Sequence, residues 1–334
     1  MGEDKPRIAV LGAGGTISTL GRRDLDLTDY VEKGRKLNAA EVLAGLPALS
    51  AIARCEPIAL DSISSSAIGP DHWRTFARLC RRFTASGSGY SGVVILHGTG
   101  SLEESAYFLN LVLDTRRPVV LVGSQRPFNS LSSDAAMNLL TALRVAAEPQ
   151  SAGRGVLVVM NNEIHSARAV TKADSYALNA FQSPGHGPLG RATAEEVHFY
   201  RRCERRHSYR SAFRSLPLSP LPRVDLVSAY GGADAVAIRA FLEAGARGLV
   251  SAGFAPGLPA MDQRPALEAA ARAGVLVVQA SRAASGAVVR RGYLRDHGMI
   301  AAGDLSPQKA RILLALALTR SRDPEAVQEI FDSH

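Results

Sequence analysis

Cysteine, long apolar runs and metal-type ligand clusters are all scarce in this chain of 334 residues. Cys55, Cys80 and Cys203 are far apart, odd in number and without a C-x-x-C pair, so neither a disulfide framework nor a cysteine zinc site is expected. No His/Cys/Asp/Glu group has metal-site spacing, and no metal or cofactor is expected. The longest apolar stretches, such as Gly155–Met160 and Ile312–Leu318, fall well short of the ~18–20 residues that span a bilayer. No membrane partner is expected. The opening Met-Gly-Glu-Asp-Lys-Pro-Arg has no basic n-region, apolar h-region or small-residue cleavage site before the strand-like Ile8–Leu11, from which a cytoplasmic location is expected. Internal repeats and low-complexity segments are also lacking.

A composition 46% hydrophobic and 21% charged belongs to a globular chain, and the length suggests two domains, each able to close its own core. The net charge of +8 is concentrated. Residues 201–214 hold six arginines against Glu204 alone, beside Pro217, Pro220 and Pro222. That composition reads as a solvated or subunit-contacting linker, and with no RNA or DNA motif present no nucleic-acid partner is expected.

Apolar β-rich runs alternate with helical patterns. Strands are expected over Ile8–Leu11, Pro57–Leu60, Gly92–Leu96, Pro118–Val122 and Gly155–Met160, and helices over Ala39–Leu46, Asp71–Phe83, Leu102–Leu113 and Asp134–Ala147. This βαβα order implies a parallel sheet flanked by helices, and unbroken runs such as Val93-Val94-Ile95-Leu96 fit strands buried on both faces. The alternation resumes at Val224–Val227 and continues to Pro307–Leu318. The expected architecture is a two-domain α/β chain, each domain a mostly parallel sheet flanked by helices. A larger N-terminal catalytic domain spans 1–190, an arginine/proline-rich linker 191–222 and a smaller C-terminal domain 223–334.

In such sheets ligands sit beyond the carboxyl ends of the strands. There the chain offers Gly12-Ala13-Gly14-Gly15-Thr16, Ser64-Ser65-Ser66, His97-Gly98-Thr99-Gly100-Ser101 and Gly123-Ser124-Gln125-Arg126-Pro127, all rich in small residues and hydroxyls. The first loop is no dinucleotide fingerprint, because Ile17 stands where G-x-G-x-x-G needs its third glycine, and it lacks Walker A spacing. Thr16 alone reads as a turn-closing residue, Tyr30 as a surface aromatic and Lys172 as a solvated charge.

Together, however, Gly14-Gly15-Thr16-Ile17, His97-Gly98-Thr99 with Leu102-Glu103-Glu104-Ser105-Ala106, Pro118–Gly123 with Arg126-Pro127, Ala167-Arg168 with Val170-Thr171-Lys172, Gly187–Gly190 and Leu305–Arg311 resemble the bacterial-type L-asparaginases across nearly the whole chain. The resemblance implies an amidohydrolase acting on asparagine or a related small amide. Thr16 falls on the nucleophile that forms an acyl-enzyme, and Tyr30 on the loop tyrosine that helps take its proton. Thr99 and Lys172 fall on the second threonine and its lysine. Ser65 falls on a residue that holds the substrate carboxylate, with Ser66 beside it. The Thr99 N–H belongs to the oxyanion hole, and the Ser124 carbonyl orients the leaving amide. Gly21–Lys36 matches a mobile lid carrying Tyr30. The resemblance also implies a homotetramer built from tight dimers.

The chain departs from the family pattern at a related set of positions. Gly100 replaces the aspartate that binds the substrate α-ammonium and supports the Thr–Lys pair, whereas Ser66 is a tolerated choice. The family's asparagine loop reads Phe254-Ala255-Pro256-Gly257, and Arg290-Arg291-Gly292-Tyr293 stands where a neighbouring subunit supplies a glutamate. Either the substrate lacks that ammonium or carries it elsewhere, or other residues of the C-terminal loop replace the lost acids. A tRNA-dependent amidotransferase subunit and a non-catalytic amino-acid-binding protein are the competing functions. The first would bring an extra N-terminal domain before the opening strand.

Overall fold

The computed structural model describes residues 5–334, which form two compact units divided between Leu218 and Ser219. In the first, the chain runs through β1 (Arg7–Gly12), β2 (Thr19–Leu20), α1 (Tyr30–Lys33), β3 (Arg35–Lys36), α2 (Ala39–Ala44), β4 (Arg54–Ile58), α3 (Pro70–Thr84), β5 (Gly92–Leu96), α4 (Leu102–Val112), β6 (Val119–Val122) and α5 (Ala135–Ala147). It closes with β7 (Val156–Met160), β8 (Glu163–Ser166), β9 (Thr171–Lys172), β10 (Phe181–Gln182), β11 (Gly190–Ala192) and β12 (Val197–Phe199).

Eight of these strands form one sheet in the order β12-β11-β8-β7-β6-β5-β1-β4. Strands β4, β1, β5, β6 and β7 are parallel, and β8, β11 and β12 continue the sheet antiparallel. Side-chain alternation explains its two covered faces. Ile8 and Val10, Val94 and Leu96, and Val120 and Val122 join Ala39 and Val42 of α2 and Leu139 and Leu143 of α5 in one cluster. The intervening Ala9, Leu11, Val93, Ile95 and Leu121 are equally buried. Helices α3 and α4 pair through Trp73 stacked on Phe108, with ring centroids 5.4 Å apart. Helix α2 starts at a capping box, in which Asn38 Oδ1 accepts from the Glu41 N–H and Glu41 Oε2 from the Asn38 N–H, each at 2.9 Å.

The chain leaves β1 to one side for β4 and then crosses back to β5 on the other side, so the order reverses between β1 and β5. Adjacent parallel strands whose connections diverge leave a crevice at their carboxyl ends, and the loops after β1 and β5 line it.

Two expectations change. Strand β4 lies at Arg54–Ile58 rather than Pro57–Leu60, because parallel pairing with β1 sets Arg54 opposite Arg7. The segment expected as a linker over 191–222 begins as sheet, with β11 on β8 and β12 on β11. Beyond β12 it is held by arginine contacts to carbonyls and rings. Arg154 Nη1 donates to the Arg201 carbonyl at 2.9 Å and its guanidinium lies 3.8 Å from the Phe199 ring centre. Arg116 covers Tyr209, and Arg81 Nη2 donates to the carbonyls of Val112 and Leu216.

The second unit is a four-stranded parallel sheet in sequential order: β13 (Val224–Ser228), β14 (Gly248–Gly253), β15 (Leu276–Ser281) and β16 (Ile300–Ala301). Its helices are α6 (Val236–Glu243), α7 (Arg264–Arg272), α8 (Gly292–Asp296), α9 (Pro307–Ala317) and α10 (Pro324–Ser333). Leu249, Leu267, Val277, Leu294 and Met299 form its core. Among the described residues no helix is long and apolar enough to cross a membrane.

Candidate active site

The loop after β1 turns through Gly14 and Gly15, both with left-handed φ of 97° and 90°. Here glycine answers to space as well as conformation. A Cβ on Gly15 would fall 2.2 Å from Gly98 Cα, and one on Gly98 would fall 2.7 Å from Ser65 Cβ. The loops after β1 and β5 therefore touch backbone to backbone, with the Ser65 side chain of the loop after β4 packed against Gly98, which places Thr16 and Thr99 on two joined segments.

Each threonine has its own partner. Thr16 Oγ1 and the Tyr30 hydroxyl lie 3.1 Å apart, within hydrogen-bond reach. Lys172 Nζ donates to Thr99 Oγ1 at 2.8 Å. Tyr30 opens α1, and its backbone N–H donates to Asp26 Oδ1 while the Arg22 N–H donates to Asp26 Oδ2. The Gly21–Lys36 segment is further tied down by Asn129, which bonds both the N–H and the carbonyl of Gly21. Lys172 sits on the β9–β10 hairpin opposite Phe181, and Asp174 Oδ1 accepts from the backbone of Tyr176 and Ala177 to shape the loop.

Burial acts oppositely on the two partners. It raises the Tyr30 phenol above its usual range, with the Thr16 hydrogen bond a smaller opposing influence. It lowers the Lys172 ammonium, against a smaller upward push from Asp174. Lysine is thus moved toward its neutral, proton-accepting form, whereas tyrosine is moved away from ionisation. The Thr16 and Thr99 backbone N–H groups make no hydrogen bond among the described residues and remain available to a ligand.

The other sequence-derived positions of the first unit lie on neighbouring loops, where a Cβ on Gly123 would fall 3.0 Å from Thr99 Cγ2. Ser65 lies against Gly100, where a Cβ would be 2.8 Å from the Ser65 hydroxyl. The Ser65 carbonyl accepts from Ser101 Oγ at 2.6 Å. Ser66 is exposed, and its hydroxyl pairs with Ser64 at 2.9 Å. Ser124 is buried and donates to the Arg126 carbonyl. Gly100 is exposed and free of left-handed φ. In the second unit, Arg290 pairs with both Glu325 oxygens and Tyr293 donates to Glu268 at 2.8 Å. Among the described residues no group of three His, Cys, Asp or Glu is arranged to hold a metal.

The supporting layer went unseen in the sequence. Asp134, expected as a helix start, turns its carboxylate to the backbone N–H groups of Gln125 and Arg126, and no side-chain cap bond to α5 forms. Asn138 Nδ2 donates to the Gly123 carbonyl and to Asp134, and Asn138 Oδ1 accepts from the Asn161 N–H. Gln125 Nε2 donates to the Ala177 carbonyl, tying the Ser124 loop to the hairpin that carries Lys172. An acid at the start of α5, four residues before Asn138, was the local signal.

Comparison with known proteins gives a consistent result. Residues 7–205 match the family model "Asparaginase, N-terminal" and residues 223–331 match "Glutaminase/Asparaginase C-terminal domain". The chain is 38% identical over 331 residues to "Probable L-asparaginase periplasmic" of Haemophilus influenzae, covering 98% of this chain and 93% of that protein. It is 36% identical to "L-asparaginase 2" of Escherichia coli, with the same coverage of 98% and 93%. It is also 36% identical to "Glutaminase-asparaginase" of Pseudomonas fluorescens, covering 97% and 89%. Among solved structures, the probable cytoplasmic L-asparaginase from Campylobacter jejuni superposes with a TM-score of 0.88 at 35% identity, covering 99% of this chain and all of that one.

Proposed function

As a member of the asparaginase and glutaminase family, this chain is an amidohydrolase of the L-asparaginase type, and we propose that Thr16 is its nucleophile, with Tyr30, Thr99 and Lys172 as the groups that move protons. The observation that carries the assignment is the pair of short contacts, Thr16 with Tyr30 and Thr99 with Lys172, on loops locked together at Gly15 and Gly98.

A neutral threonine hydroxyl is a weak nucleophile and needs an acceptor within hydrogen-bond reach. Thr16 Oγ1 attacks the amide carbonyl carbon, and its proton leaves through the hydroxyl and amine groups of the site. The carbonyl oxygen becomes an oxyanion held by the Thr99 N–H, a contact worth about 2.7–4 kcal/mol. Collapse expels ammonia after protonation of the amide nitrogen and leaves an ester on Thr16. Water, deprotonated with help from Lys172 and Thr99, then hydrolyses the ester to the acid and restores Thr16. Ser65 and Ser66 hold the substrate carboxylate, and the Ser124 carbonyl accepts from the amide.

Substrate quenched in acid during turnover should leave the acyl portion on the peptide containing Thr16, by mass spectrometry. Thr16→Ala should retain at most a few per cent of kcat and carry no adduct. An adduct on another residue overturns the assignment.

One observation favours a second reading of the substrate. Where the family carries a carboxylate for the α-ammonium, this chain places the Ser65 hydroxyl against Gly100. A site without that acid accepts an amide lacking the ammonium more readily, since a buried unpaired charge costs several kcal/mol.

A homo-oligomer is supported by the exposed apolar side chains Tyr230, Met261 and Val289 of the second unit, and sedimentation velocity tests it. A cytoplasmic location is supported by the free thiols Cys55, Cys80 and Cys203 and by the name of the Campylobacter jejuni neighbour, against the periplasmic name of the Haemophilus influenzae relative. Osmotic-shock fractionation decides between them.

A further inference from the structure

Directly behind the oxyanion loop lies a buried chain of hydrogen bonds that the mechanism above does not use. Trp73 Nε1 of α3 donates to Ser105 Oγ of α4 at 2.9 Å. Ser105 Oγ and His97 Nε2 are 2.8 Å apart, and His97 Nδ1 lies 2.8 Å from the Gly98 carbonyl oxygen. Trp73, Ser105 and His97 are at most 3% exposed, and Phe76 meets the imidazole edge-on.

The two ends fix every proton in the chain. An indole can only donate and a carbonyl can only accept. Nδ1 must therefore carry hydrogen for Gly98. Burial holds His97 neutral, with its pKa down at about 4, so Nε2 accepts from the Ser105 hydroxyl, which in turn accepts from Trp73. All donors point one way, from α3 to the Gly98 carbonyl.

That carbonyl belongs to the same planar peptide as the Thr99 N–H. We propose that His97, oriented by Ser105 and Trp73, is a positioning residue that fixes the Gly98–Thr99 peptide and so aims the Thr99 N–H at the oxyanion of the tetrahedral intermediate. Gly15 packs against the preceding His97–Gly98 peptide, so Gly98 is held at its N and Cα by packing and at its carbonyl by the histidine hydrogen bond. The bond also draws electron density toward the carbonyl oxygen and makes the Thr99 N–H a better donor. The inference rests on the reading of Thr99 as an oxyanion donor.

Two kinds of measurement separate aiming from mere packing. His97→Leu should lose about 100-fold in kcat, the scale of one misplaced oxyanion donor, with KM changed less than about threefold. His97→Asn keeps an amide N–H near the Nδ1 position and should recover most of that loss. Ser105→Ala, a small change that keeps the fold if His97→Leu does not, should lower kcat about tenfold. An aldehyde analogue of asparagine forms a tetrahedral oxyanion on the nucleophile, so its affinity should fall in parallel with kcat across the variants, while affinity for the product aspartate stays constant. Nitrogen-15 chemical shifts should show protonated Nδ1 and unprotonated Nε2 at pH 7. If the aldehyde binds wild type and His97→Leu and Ser105→Ala equally well, the positioning role is overturned. If wild type itself does not prefer the aldehyde to aspartate, the oxyanion reading of Thr99 fails first, a distinguishable result.

Discussion

Gly15 and Gly98 meet with no room for a methyl group between them: a Cβ on Gly15 would fall 2.2 Å from Gly98 Cα. The contact sets the spacing of the two reactive loops. Gly15→Ala adds that Cβ at a φ of 90° and should cost about 1–3 kcal/mol in backbone strain. Displacing Thr16 by even ~1 Å should lower kcat about 100-fold. Thermal denaturation and steady-state kinetics check both. A variant with unchanged kcat would show that the loops are not coupled.

Lys172→Met should lower kcat by about 10²–10⁴ with a smaller effect on KM, the range of a general acid–base group. A pure KM effect would make the lysine a binding charge. Asp174 pushes the Lys172 pKa upward against the effect of burial. Asp174→Asn retains the Oδ1 acceptor for Tyr176 and Ala177 but removes the charge. Lys172 should then lose its proton at lower pH, moving the acidic limb of the kcat profile downward. An upward shift would refute the assignment.

At Gly100 the backbone poses no obstacle to a side chain, but the Ser65 hydroxyl 2.8 Å from the Cβ position must turn aside. Wild type should discriminate little between L-asparagine and succinamic acid. Gly100→Asp should raise the ratio of their kcat/KM values by about 10–150-fold, equivalent to one charge-assisted hydrogen bond of roughly 1.5–3 kcal/mol. A wild-type preference for L-asparagine above a hundredfold would mean that another acid reads the ammonium.

His97 and His207 should make stability pH-dependent. Burial lowers both to about 4 from 6.5, with Arg210 adding to the effect on His207. Between those values the unfolded chain binds more protons than the native one, so stability is full above about pH 6.5 and falls as pH drops toward 4. Each histidine contributes a slope approaching 1.4 kcal/mol per pH unit. Urea midpoints from pH 7 to 4.5 test this, and His97→Asn should flatten the slope. A flat wild-type profile over that window would refute it.

The central strands were legible because Val93–Leu96 and Val119–Val122 are unbroken apolar runs buried on both faces. Strand β4 was misplaced by a few residues because it is an edge strand, where Arg54 and Glu56 carry no strong apolar pattern. The 201–214 region read as a linker because its own arginines carry no apolar pattern, whereas it is tied down from outside by Arg154 on the Arg201 carbonyl, Arg116 on the Tyr209 ring and Arg81 on the Arg214 carbonyl. The loops that carry Thr16 and Thr99 could be found as glycine-rich segments after strands, although Thr16 alone read as a turn-closing residue. Tyr30 and Lys172 could not, since each has ordinary local sequence and gains its meaning from a partner far along the chain. Only the family resemblance singled them out. The Trp73–Ser105–His97 relay was hidden for the same reason.

The parallel pairing of β1 with β5 has a consequence for how this enzyme comes into being. Its register sets Ile8 opposite Gly92 and Gly12 opposite Leu96, and the second proton-moving pair waits for Lys172 on a still later hairpin. No short stretch of chain holds even one complete threonine pair with its oxyanion donor. Closing loops of this length is entropically costly and slow compared with forming the helices between them. During refolding, helical signal should therefore return well before the first turnover, and a ribosome-bound chain released before the β9–β10 hairpin should have most of the parallel sheet and no catalysis.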